Sequence, residues 1–88
     1  MHQIILRAMD PARNVHRKYE LSCTRDLLGD LVLETKWGRI GATGLVRRRT
    51  VGSVAEARQI VRRLLQRCVG AIGRVGVPYR VISEIGSL

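Results

Sequence analysis

The residues best suited to binding chemistry stand together in the run Trp37-Gly38-Arg39. An exposed indole can stack on a nucleobase or sugar, which contributes roughly 1–3 kcal/mol per base without sequence preference. Gly38 has no side chain to hold a nucleic-acid backbone away, and Arg39 would share a strand face with Trp37 and bind a phosphate. The run therefore predicts a stacking and phosphate-binding surface. The competing interpretation makes Trp37 the largest core residue, with Gly38 and Gly41 forming a bulge.

Arginines beyond this run add to the candidate surface. Residues 39–80 contain ten arginines against the single acid Glu56, whereas residues 1–38 are nearly balanced, and the formal net charge is +9. Because arginine makes bidentate contacts with phosphate, this excess favours a polyanionic partner. A surface charged only for solubility is the alternative that charge alone leaves open.

Three consecutive arginines, Arg47, Arg48 and Arg49, follow the candidate loop. Strand alternation sends Arg47 and Arg49 to one face and Arg48 to the other. The first two are therefore the predicted phosphate contacts, and Arg48 is expected to be solvated or at the rim. Lys36, beside the tryptophan, is a further candidate contact. The later helix arginines fit a solvated face, although they lack acidic partners at four-residue spacing.

The sequence shows no catalytic set and no metal site. His2 and His16 have no carboxylate or cysteine close in sequence, and we expect both to be free. Cys23 and Cys68 lack CxxC spacing and zinc-ligand histidines, which favours reduced, intracellular thiols. We therefore expect a protein that is not an enzyme and that uses no cofactor.

The length and the start of the chain narrow its class further. Eighty-eight residues suffice for one domain, expected over 1–88 with a core at about 4–82. The apolar run at 4–6 is far shorter than the ~20 residues of a membrane span. These features predict a cytoplasmic protein without membrane contact.

Short strands and one helix would position the candidate residues. Alternating polarity and turn residues predict strands at 4–9, 18–24, 31–37, 45–51 and 79–82. Ser53 and Glu56 fit a capping box that begins a helix ending between residues 69 and 75. Its apolar stripe comprises Val54, Ala57, Val61, Leu64, Leu65, Cys68 and Ile72. The expected fold class is α+β, a small antiparallel sheet of about four to five strands with one long amphipathic helix packed on one face.

The run from Trp37 to Gly41, closing a strand before a glycine-bearing loop and a basic strand, resembles the signature of the WGR family. Other positions that match the family pattern are 19–21, 26–29, Leu33, Gly44 and 56–57. The resemblance covers roughly residues 4–82. It points to a small stand-alone bacterial WGR protein, related to the WGR domain of poly(ADP-ribose) polymerases.

The resemblance implies a non-catalytic module that binds nucleic acid, DNA in preference to RNA, at ends or nicks. Trp37 would pack on the terminal nucleotide, Arg39 would bridge DNA and a neighbouring domain, and Arg47 would contact phosphate. Bacterial relatives finish the helix with a Lys and an Arg-Gly-Tyr element, whereas this chain has a different run at 74–79. The alternative is a protein-interaction module with Trp37 and Arg39 as its hot spot. The sequence leaves the oligomeric state open.

Overall fold

A computed structural model describes residues 2–69 and 78–86, and its strands form one antiparallel sheet. The elements are β1 (His2–Asp10), β2 (Val15–Arg25), β3 (Leu31–Arg39), β4 (Leu45–Val51), α1 (Val54–Val69) and β5 (Arg80–Gly86). The lateral order is β4-β3-β2-β1-β5, so the first four strands form a meander and β5 returns to the free edge of β1. In the part of the chain described, the architecture is the expected α+β fold.

Helix α1 packs on one face of the sheet and completes a single core. Leu6, Leu21 and Leu33 from the strands and Val61 from the helix belong to one buried cluster. We call this side of the sheet the helix face and the opposite side the far face. Ile60 is also buried, although the predicted apolar stripe omitted it.

The helix begins where the capping residues predict. Ser53 Oγ accepts a hydrogen bond from the backbone N–H of Glu56 at 3.1 Å. Glu56 Oε2 reaches back to accept the N–H of Gly52 at 2.9 Å, one residue before the cap. The helix covers 16 residues. The predicted extension toward residue 75, including Ile72, lies outside the described residues.

The turn between β2 and β3 sets the register of these strands. Asp26 Oδ1 accepts hydrogen bonds from the backbone N–H groups of Leu28 and Asp30, each at 2.9 Å. Gly29 takes the left-handed conformation that the turn needs, with φ +84°. This register places Tyr19 opposite Trp37.

The last strand is longer than expected. β5 begins at Arg80 and continues to Gly86, whereas polarity predicted a strand over 79–82. It pairs with β1 along almost its whole length, with an irregularity opposite Ile5 and Leu6. This backbone pairing stabilises residues whose side chains show little alternation. No helix in residues 2–69 or 78–86 is long and apolar enough to cross a membrane.

Candidate nucleic-acid interface

Three aromatic rings lie near one another on the helix face. The register pairs Tyr19 with Trp37, and their ring centroids are 6.4 Å apart with planes at 27°. Tyr79, just before β5, meets Tyr19 edge-on with a centroid distance of 6.1 Å. Trp37 is half-buried, so its ring is partly accessible while it packs against Tyr19.

A groove of about 680 Å³ opens beside these rings, between the sheet and the C-terminal half of α1. Leu64 and Cys68 of the helix form part of its wall, and Thr35 contributes from β3. Four arginines also line it: Arg17, Arg39, Arg47 and Arg67. None of the groove-lining residues in the described part of the chain is acidic. The groove therefore combines ring surface with concentrated positive charge.

Arg17 and Arg39 are paired directly across β2 and β3. Arg39 Nη2 donates a hydrogen bond to Asn14 Oδ1 at 3.1 Å, and Asn14 itself adopts the left-handed conformation with φ +56°. The backbone N–H of Ile40 donates to the carbonyl of His16 at 2.8 Å. These bonds hold Arg39 at the groove. Among residues 2–69 and 78–86, Asn14 is its one side-chain hydrogen-bond partner, and a guanidinium has five N–H donors with which to bind an anion.

The glycines around the tryptophan serve the hairpin between β3 and β4. Gly44 has φ +71°, and a Cβ there would lie 2.4 Å from the carbonyl oxygen of Trp37. A Cβ on Gly38 would lie 2.9 Å from the Cα of Gly44. The backbones of the two glycines are in contact. This packing explains why residue 38 is a glycine, with no need for a bound ligand.

The arginines of β4 separate as alternation predicts. Arg47 lies opposite Thr35 and lines the groove, while Arg49 lies opposite Leu33 on the same face but beyond the groove. Arg48 is paired with Glu34. The structure thus brings only the first of these arginines together with Trp37.

Lys36 and Arg48 instead share the far face with Glu34. Arg48 Nε donates a hydrogen bond to Glu34 Oε2, and Lys36 Nζ lies 3.4 Å from Glu34 Oε1. The hydrogen bond from Arg48, helped by Lys36, lowers the pKa of the Glu34 carboxyl. Arg48, expected to be solvated, is exposed but ion-paired, and Lys36 lies on the side of the sheet away from the groove.

Tyr19 forms the link between the core and the groove. It packs against the buried cluster, and burial raises the pKa of its hydroxyl, with Cys68 adding to the effect and Arg67 opposing it. The hydroxyl is therefore neutral at physiological pH. Sequence reasoning placed Tyr19 on a strand but missed its place in the groove, along with Asn14, Arg17, Arg67 and Tyr79. For Arg17 a signal existed, because it is two residues from Tyr19 on the same strand.

The expectation of a free His2 is wrong. His2 Nε2 lies 2.9 Å from Glu84 Oε1, because β5 returns beside β1. Cys23 and Cys68 are buried and no disulfide joins them, and burial raises the pKa of the Cys23 thiol. Across the described ranges, no group of three or more His, Cys, Asp or Glu side chains is placed to hold a metal ion.

Comparison with known proteins identifies a family and a relative. A sequence model of the WGR domain matches residues 2–70, and Tyr79 and β5 lie beyond that range. The "Uncharacterized protein y4dW" of Sinorhizobium fredii (strain NBRC 101917 / NGR234) is 42% identical over 43 residues, which cover 49% of this chain and 21% of that protein. The match thus spans about a fifth of the relative's length. No solved structure matches the chain.

Proposed function

Since this chain belongs to the WGR domain family, we propose that it is a non-catalytic DNA-binding module that recognises strand ends or nicks. The observation that carries the proposal is the groove in which Trp37 lies among four arginines. Such a groove offers a nucleotide both a ring to stack on and cations for its phosphate.

Stacking is the first step of the argument. The ring of Trp37 is half-buried and held by Tyr19, so a base or sugar can pack on it without first ordering the side chain. A base inside a duplex has both faces covered by its neighbours. A terminal or nicked base has an accessible face, which favours ends and nicks over continuous duplex.

Phosphate binding is the second step. Arg17 and Arg39 lie directly opposite each other, and like charges in that position destabilise a sheet. An anion between them would remove the repulsion and gain charge-assisted hydrogen bonds. Arg47 adds a third cation from the neighbouring strand, as the family resemblance implies.

The other candidate contacts take lesser parts in this proposal. Arg49 would meet a phosphate farther along β4, outside the groove. Gly38 would take part only through its backbone, because Gly44 fills the space that a side chain at position 38 would need. Lys36, on the far face beside Glu34, would contribute only long-range attraction.

A fluorescence titration tests the proposal, because Trp37 is the only indole in the chain. The ligands are a short duplex with a 5′-phosphorylated open end, a closed hairpin of equal length and a single-stranded RNA, each at two salt concentrations. We expect salt-sensitive quenching that is strongest with the open end and lost in Arg39→Ala. Arg48→Ala, on the far face, is the matched control and should bind like the wild type. Absence of binding to all three ligands at low salt would overturn the proposal.

A protein-interaction module is the second candidate, and one observation favours it. Leu45, directly opposite Trp37, is 63% exposed, which gives the rim of the groove an apolar part suited to a polypeptide. In that case Trp37 and Arg39 would form the hot spot. An aromatic-centred protein contact loses little affinity with added salt, whereas phosphate binding loses much.

A further inference from the structure

Three cations lie side by side on the far face, outside the groove. Arg80 of β5 is directly opposite Arg7 of β1, and Arg7 is directly opposite Lys18 of β2. Leu6 and Ala8, the neighbours of Arg7, are buried on the helix face, so Arg7 points away from it. We call Arg80, Arg7 and Lys18 the far-face row.

We infer that the far-face row is a second phosphate-binding site, which holds the backbone of the second strand of a bound duplex end. The inference rests on the proposed function, because it assigns the groove to the first strand. It concerns residues on the side of the sheet that the groove does not reach.

The arrangement of the row is costly unless an anion binds. Cross-strand like charges repel, and here two such pairs are adjacent. Arg7 and Arg80 are both exposed. Glu20 lies on the same face two residues from Lys18, yet no salt bridge within the described residues joins it to the row.

The position of the row indicates which anion it would meet. Lys18 is opposite Gly38, and the adjacent pair on the other face is Arg17 with Arg39. The groove and the row therefore lie at the same end of the sheet, on opposite faces. Lys18 Nζ also donates to the carbonyl of Ala42 at 2.7 Å, which ties the row to the loop between β3 and β4.

A duplex end presents two phosphate backbones. A protein that contacts the terminal base pair therefore has one backbone on each side of it. If the groove binds the terminal nucleotide of one strand, this end of the sheet lies between the two backbones. The second backbone then lies on the far face, where the row supplies guanidinium groups for bidentate phosphate contacts.

The experiment compares a phosphorylated duplex with a single strand of the same sequence, using the double variant Arg7→Gln/Arg80→Gln. Affinity is measured by Trp37 fluorescence over a series of salt concentrations. Each lost phosphate contact lowers the salt slope by about 0.9 for duplex DNA, so we expect a loss of about 2 in the slope for duplex. Binding of the single strand should not change. Arg48→Gln, on the same face but paired with Glu34, is the matched control.

The outcomes separate the inference from the proposed function. If the wild type binds neither DNA, the proposed function fails. If the wild type binds duplex and the double variant keeps the full salt slope, the row is not a phosphate site. If the double variant loses the same amount of salt slope with the duplex and with the single strand, the assignment of the row to the second strand is overturned. A polyglutamate peptide serves as a probe for an acidic protein. If the double variant binds duplex like the wild type but no longer binds this peptide, the row would be a site for an acidic protein partner instead. Thermal unfolding of the double variant checks that it folds.

Discussion

The rings of Tyr19 and Trp37 lie 6.4 Å apart with planes 27° from parallel, because β2 and β3 place the two residues directly opposite each other. Tyr19 packs against the buried cluster, whereas Trp37 lines the groove. The core thus determines the orientation of the residue that the proposed function requires for stacking.

This contact predicts an energetic coupling between the two rings. A double-mutant cycle with Tyr19→Leu and Trp37→Leu should give a coupling free energy of about 0.5–1.5 kcal/mol, the range for aromatic pairs beyond their buried area. Unfolding in urea, followed by circular dichroism, measures each variant. Additivity within roughly 0.3 kcal/mol would show that the rings are independent.

Two glycine substitutions should differ in their effect on stability. Gly29→Ala meets open space at φ +84° and should cost roughly 1–2 kcal/mol, the penalty for a left-handed residue. Gly44→Ala adds a clash with the carbonyl oxygen of Trp37 and should cost on the order of 1–3 kcal/mol more. Urea unfolding of both variants tests this difference, and equal losses would mean that the hairpin adjusts freely.

Removing one arginine of the pair in the groove should weaken binding without weakening the fold. Arg17→Ala relieves repulsion with Arg39, so we expect the free energy of unfolding to stay constant or rise by up to roughly 1 kcal/mol. The salt slope of duplex binding should fall by about 1. Arg48→Ala should leave that slope unchanged. Lower stability together with an unchanged salt slope would assign Arg17 to the fold instead.

The far-face carboxylate predicts a pH dependence of stability. Because Arg48 lowers the pKa of Glu34 in the folded state, the ionised form stabilises the fold above the carboxyl's ordinary pKa. This contribution is lost as the pH falls through the lowered folded-state value. Arg48→Met should move the pKa of Glu34 back up, as measured by NMR titration of its side-chain carboxyl carbon. If the titration of Glu34 has the same midpoint in the wild type and in Arg48→Met, Arg48 does not lower this pKa.

Local signals predicted several elements well. Alternation and flanking glycines placed β4 at Leu45–Val51, as observed, and Ser53 with Glu56 marked the start of α1. Other contacts had no local signal. His2 meets Glu84 through strand pairing, and Ile60 fell outside the predicted stripe although it belongs to the buried cluster.

The sequence by itself determined the fold class, the turns and the family, since strand period, helix capping and left-handed glycines act between residues a few positions apart. It also determined that Arg47 and Arg49 share a face while Arg48 does not. Only the tertiary structure decided that β5 pairs with β1, because any strand with free backbone groups can satisfy that edge. The groove also depends on the tertiary structure. Its residues come from β2, β3, β4, α1 and the approach to β5, and only strand register and helix packing bring them together.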